Sequence, residues 1–189
     1  MRVATEGFEQ AVDVAKGVLR SVKADQLDDP TPCASWKVRD VINHLVGGSY
    51  FFAAATNGDA AGDGSDAPDF ASADYAAAYE DGSKQAIAAF AAPGALDRIV
   101  KVPFGEFPGA AWMGLATTDT FAHAWDLAKA TGQSTDLAPE LAEQLLVGAR
   151  QAIPDGFRGD EPLPFAAEKN CPDGASAADR LAAFLGRTV

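Results

Sequence analysis

Two histidines occur in the 189-residue chain, His44 and His123, and Asp119 stands four residues before the second. In a helix of 3.6 residues per turn, side chains four apart lie one turn apart on the same face. An imidazole and a carboxylate so placed can grip one ion. A second imidazole from a facing helix would make three protein ligands. Three ligands leave coordination positions open, which separates catalytic metal sites from closed, four-ligand structural ones. Two histidines and one carboxylate suit zinc, nickel or iron better than magnesium or calcium. Spacing alone leaves simpler readings open. A histidine on an apolar face is often a satisfied core residue, and an Asp–His pair at i, i+4 is often only a hydrogen bond or ion pair.

Neighbouring residues have lesser candidate roles. Asp126, three residues after His123, either orients that ring from behind or is a solvated helix charge. Cys33 lies in the loop before the helix of His44, which is about eight residues further in, or roughly 12 Å at 1.5 Å per residue. Cys33 is therefore expected to pack as a small hydrophobe and not to share an ion with His44. Trp36 and Trp125 are expected as core or pocket wall. The pair Gly47-Gly48 costs helix stability. It either lets a helix approach closely near His44 or is merely tolerated. Gly105, Gly109 and Gly114 make no phosphate loop, because no Gly-Lys-Ser/Thr follows. Cys33 and Cys171 are the only cysteines, too few for a disulfide framework.

Positioning these groups requires helices. Residues 5–24 carry Phe8, Ala11, Val12, Ala15, Val18, Leu19 and Val22 at helical spacing. Asp29-Pro30-Thr31-Pro32 then enforces a loop. A second helix is expected from near Trp36, with Ser35 as N-cap, to about Thr56. Residues 57–69, rich in Gly, Asp and Ala, read as a mobile loop. A third helix is expected over 72–91. Ile99, Val100, Val102, Phe104 and Phe107 change the period and predict a short β-hairpin, with Pro103 keeping it at an edge. A fourth helix, about 110–131, should stop at Gly132. A fifth should begin after Leu137-Ala138-Pro139, with the proline near N1. After a Pro- and Gly-containing excursion over 154–173, a last helix over 176–185 should stop at Gly186.

Composition bounds the rest. The length suits one domain over residues 1–189 with a sizeable core, and 48% hydrophobic with 22% charged residues is ordinary for a globular chain. The formal net charge is −12. That is the wrong sign for displacing counterions from nucleic acid or for docking on anionic lipid. No apolar run approaches the roughly 20 residues needed to span a bilayer, and the N-terminus has no signal-peptide core. A cytoplasmic protein is expected. Helical bundles of this size often pair, so a homodimer is compatible with the sequence, although no heptad seam is legible.

At this point the residues resemble a known family. The stretch Pro30-Thr31-Pro32-Cys33-Ala34-Ser35-Trp36, running on through Asn43-His44-Leu45-Val46-Gly47-Gly48, is similar to an actinobacterial family related to mycothiol-dependent maleylpyruvate isomerase. So are His123-Ala124-Trp125-Asp126-Leu127 and the tail Asp179-Arg180-Leu181 to Leu185-Gly186-Arg187. The resemblance implies an all-α, DinB-like four-helix bundle of up-down-down-up connectivity, with a metal at one end of its core. It places the family's metal ligands on His44, Asp119 and His123. The isomerase has Glu at the acidic position, where this chain has the shorter Asp119, and it carries a substantial C-terminal domain where this chain has only residues 154–189. No thiol-binding arginine is matched.

The resemblance implies a metalloenzyme, zinc being the first expectation, acting with a low-molecular-weight thiol such as mycothiol on a small electrophile as transferase or isomerase. Metal-assisted hydrolysis, with Asp126 or another acid as base, stays open. So do a non-catalytic metal- or ligand-binding bundle and a bundle with two core histidines and no metal.

Overall fold

The computed structural model describes residues 5–33, 35–59, 68–153, 156, 158, 159 and 166–189. Most of the expected mobile loop (60–67) and part of the expected excursion (154, 155, 157, 160–165) lie outside the described residues. Six helices are described: α1 (Glu6–Arg20), α2 (Val38–Asn57), α3 (Tyr75–Ala91), α4 (Gly109–Ala130), α5 (Pro139–Ala152) and α6 (Ala177–Phe184). Strands β1 (Ile99–Val102) and β2 (Gly105–Pro108) pair antiparallel, with Val100 opposite Phe107 and Val102 opposite Gly105. Pro103 sits in the two-residue turn between them, where its missing N–H costs no ladder bond.

Element starts differ from the sequence reading for capping reasons. Ser35 is no helix cap: its φ is +68°, in a turn two residues upstream of α2's true boundary. The helix starts at Val38 because the Asp40 carboxylate accepts the backbone N–H of Lys37 at 2.8 Å, satisfying a donor left orphaned at a helix start. The third helix starts at Tyr75 and not at 72. The Asp74 side chain caps it by accepting from Ala77 N–H at 3.0 Å, and Phe70–Ser72 form a separate 3-10 turn.

Helix directions follow from contacts. Asn43 Oδ1 accepts from Ala71 N–H and Tyr50 Oη donates to Ala78 O, so residues move forward together along α2 and α3, which run parallel. Phe8 packs on Phe90, and Tyr75 Oη reaches Val22 O, so α1 opposes α3. His44 meets Asp119 and Phe52 meets Trp112, so α4 opposes α2. The order is up, down, down, up, the DinB-like arrangement.

Glycine decides where α2 and α3 touch. A Cβ on Gly82 would lie 2.1 Å from Ser49 Oγ, so only hydrogen fits there. At Gly47 and Gly48 an added Cβ would meet nothing nearer than 3.7 Å. That pair is tolerated and does not set the approach.

Two apolar clusters share α4. One joins α1, α2 and α3 around Phe8, Ile42, Tyr79, Phe90 and Trp112; the other joins α5 and α6 to α4 around Phe121, Trp125, Leu141, Leu181 and Phe184. Consequently every residue of α4 from Thr120 to Ala128 is buried, Asp126 and His123 included. A helix enclosed on both sides must be apolar all round. The polar groups it retains there need partners.

Candidate metal centre

The loop of residues 29–37 brings the first wall to the site. Thr31 N–H and Oγ1 both donate to Trp36 O, at 3.1 and 2.9 Å, and Val38 N–H donates to Asp29 O at 3.0 Å. The chain is thereby folded back on the start of α2. Trp36 is carried over the histidines, its ring 5.0 Å from His44 and stacked at 5.4 Å on His123 with a 21° tilt. The two imidazoles lie 4.5 Å apart edge to face.

His44 from α2 and His123 from α4 converge on Asp119. His44 Nε2 lies 3.1 and 3.2 Å from the two Asp119 oxygens, and His123 Nε2 lies 3.5 Å from Asp119 Oδ1. One ligand atom from each of the three falls within 4.8 Å of the others. Both imidazoles thus turn Nε2 to the same carboxylate. His44 and Asp119 side chains keep 34% and 26% of their surface, whereas His123 keeps 9%. The cluster is closed on the His123 side and reachable from the His44 side.

The far nitrogen of His123 is held as well. His123 Nδ1 lies 3.0 Å from Asp126 Oδ2, and Asp126 has no exposed surface. Arg187, beyond α6, spans the same carboxylate: Nε is 3.3 Å from Oδ1 and Nη2 is 3.0 Å from Oδ2. Burial opposes charge on His123, but Asp119 and Asp126 outweigh it and push the imidazole up to about 9. Burial likewise opposes the Asp119 carboxylate, and the two imidazoles outweigh it, holding its pKa well below the usual range. Asp126 is also lowered, its burial outweighed by His123 and Arg187. A cation in the His44–Asp119–His123 cluster would replace the proton that His123 otherwise carries there.

Cys33 is not grouped with His44, in line with the helix spacing, but it is only partly buried and stands among polar groups of α4 and the tail. The folded-back loop brings its Sγ within 4.8 Å of ligand atoms of His123 and Asp126, and 4.0 Å from Arg187 Nη2. Distance along the helix to His44 says nothing of this approach to α4, which the loop sets. This second cluster suits an ion less well. Its carboxylate is already gripped by a guanidinium, and burial, reinforced by Asp126, pushes the Cys33 thiol up against the opposing pull of Arg187. Arg187 itself escaped the sequence reading. The only local signal was a cation just past the helix-stopping Gly186, which says nothing of its target. A surface concavity of about 630 Å³ along α5 and α6 shares no residue with this cluster, and its Arg150, Glu168, Arg180 and Glu143 are paired with one another.

A mostly helical bundle with one β-hairpin, and with two histidines and a carboxylate converging near its open side, defines the class. The chain belongs to the family of the mycothiol maleylpyruvate isomerase N-terminal domain, whose model matches residues 8–128. An uncharacterized protein of Mycobacterium tuberculosis, found in strains H37Rv and CDC 1551, is 47% identical over 185 residues, covering 96% of each chain. Among solved structures, mycothiol-dependent maleylpyruvate isomerase superposes with a TM-score of 0.59 at 15% identity, over 86% of this chain and 79% of that one. A histidine-to-alanine mutant of that enzyme gives 0.60 at 14% over the same shares. At such identities the likeness establishes the fold.

Proposed function

We propose that His44, Asp119 and His123 hold one divalent transition metal, zinc first, and that the protein is a mycothiol-type, thiol-dependent transferase or isomerase acting on a small electrophile. The observation that carries the reading is the convergence of three donor atoms from two helices within 4.8 Å of one another, on the reachable side of an otherwise closed cluster. The donor set fits such an ion: two neutral imidazole nitrogens and one carboxylate, with positions left over. Family membership supports the thiol. When bound, the ion would lower the pKa of a thiol docked at its open side and so supply a thiolate nucleophile.

The chain's own residues do the remaining work. Asp126 holds His123 by Nδ1, keeping Nε2 turned to the cluster. Trp36 packs against both rings, stacking on His123. Asp126 has both oxygens engaged, by His123 and Arg187, and so offers no free base for activating water. That speaks against hydrolysis through Asp126. Among the described residues no helix is long and apolar enough to cross a membrane. A thiol cosubstrate fits a reducing cytoplasm.

The test is metal analysis of freshly purified wild type, His44→Ala and His123→Ala, followed by turnover of maleylpyruvate and a bimane-type electrophile with and without thiol. Near-stoichiometric metal in the wild type alone, with loss of substrate only when thiol is present, is expected. Equal metal in all three proteins would end the metal reading. Turnover independent of thiol would end the thiol reading.

A further inference from the structure

Arg187 comes from the third-last position of the chain, yet it reaches Asp126 in the C-terminal part of α4. Helix α6 ends in a Schellman turn: Gly186 N–H donates to Ala183 O and Arg187 N–H to Ala182 O, each at 3.0 Å. Gly186 has φ +91°, and a Cβ there would lie 2.6 Å from Ala166 Cβ. Only glycine fits that conformation in that space. The turn points the next side chain back into the bundle, where Arg187 is 16% exposed.

Its donors are then almost fully committed. Nε and Nη2 grip the two Asp126 oxygens, Nη1 donates to Leu185 O at 3.2 Å, and Nη2 also faces Cys33 Sγ at 4.0 Å. A planar fork spanning both oxygens fixes the plane of a carboxylate, which a point charge does not do. Through Cys33 the same group touches the loop that carries Trp36. Three separate pieces of chain, namely α4, the residue 29–37 loop and the C-terminal tail, therefore meet at one guanidinium beside the cluster.

We infer that Arg187 is a positioning residue of the metal centre: by clamping both oxygens of Asp126 it fixes the carboxylate that fixes His123, so that Nε2 of His123 is presented to the ion. This rests on the metal reading above. A mere tail anchor would not need both oxygens of a carboxylate whose other contact is a candidate ligand.

The experiment loads the full-length protein with cobalt(II). Affinity is read by chelator competition, geometry by the visible absorption band, and the metal-free fold by circular dichroism. Wild type is compared with Arg187→Met and Arg187→Lys. Loss of an outer partner of a metal-bound histidine typically costs about 10- to 100-fold in affinity. That loss, with an altered band, is expected for Arg187→Met. Arg187→Lys, which keeps the charge and loses the fork, should recover part of it. Both variants binding cobalt within twofold of wild type, with the same band, would overturn the inference. If Arg187→Met does not fold, Arg187→Lys decides alone: weaker binding than wild type supports the role and equal binding overturns it. A folded wild type that takes up no cobalt would instead bring down the metal reading itself.

Discussion

Asp126 and His123 sit three residues apart on one helix and meet at 3.0 Å, with the Asp126 carboxylate wholly out of solvent. A buried carboxylate is costly unless paired, and this one is paired twice. Asp126→Asn keeps the shape but presents an NH2 where one oxygen stood, so Arg187 loses an acceptor whichever way the amide turns, and His123 loses its own in one of the two orientations. We expect metal affinity to fall by about 10- to 100-fold and stability to fall by about 3 kcal/mol. Chelator competition and denaturant melts measure the two. Unchanged affinity would show that Asp126 does not orient the ligand.

Replacing glycine by alanine inside a helix ordinarily stabilises by about 1 kcal/mol. At Gly82 the sign should reverse. The new Cβ would lie 2.1 Å from Ser49 Oγ and 3.2 Å from Tyr50 Cδ2, and that hydroxyl is itself bound to Val46 O at 2.7 Å. Overpacking of this kind costs about 1–3 kcal/mol. Gly17→Ala, in α1 with nothing within 4 Å of the new methyl, should show the ordinary gain. Denaturation midpoints of the two variants compare them directly. Stabilisation at both positions would mean that α2 and α3 are not held at this spacing.

Much of this arrangement is legible in the sequence. The stripe from Phe8 to Leu19 is buried as its period requires, Pro139 stands at the start of α5, and the last helix lies within the expected 176–185. The hairpin follows from its change of period. Asp119 and His123 share a face because four residues make about one turn. What escapes is everything decided by chain reversal. Ser35 has the chemistry of a cap and sits in a left-handed turn, because Asp40 does the capping from inside the helix. Cys33 is far from His44 along the chain but near α4 across the loop. Arg187 is placed by a turn whose need for glycine is visible only once Ala166 is seen beside it. Local spacing carries no information on such contacts.

The two histidines should not be equivalent in the metal-free protein. His44 keeps a third of its side-chain surface and contacts one carboxylate; His123 is buried and lies between two. Removing His123 leaves Asp119 and Asp126 facing each other across a cavity, and breaking a buried pair costs about 3–5 kcal/mol. Removing His44 leaves Asp119 still paired and partly solvated, with an expected cost below about 1 kcal/mol, as for exposed pairs. Denaturant unfolding after chelation measures both. Equal losses would mean that the burial difference has no energetic weight.

Acid should loosen α6 from α4 through one carboxylate outside the His44–Asp119–His123 cluster. Asp179 Oδ1 accepts Trp125 Nε1–H at 2.9 Å, joining the two helices across the second apolar cluster. Burial raises the Asp179 carboxyl, but hydrogen bonds from Trp125, Thr135 and Ser176, with Lys129 nearby, outweigh it and leave the pKa below its ordinary value of 3.8. A pKa lower in the folded than in the unfolded state means that the unfolded chain binds the proton first. The stabilisation is therefore complete above pH about 5 and is lost as pH falls through the ordinary value toward the folded one. Asp179→Asn lacks this linkage. The mutant should be less stable than wild type at pH 7, with the difference shrinking steadily between about pH 5 and pH 3. Denaturant melts at fixed pH, followed by tryptophan emission, give the comparison. A difference that stays constant over that range would show that the Asp179 charge contributes nothing to docking α6, leaving the apolar contacts of Leu181 and Phe184 to hold it.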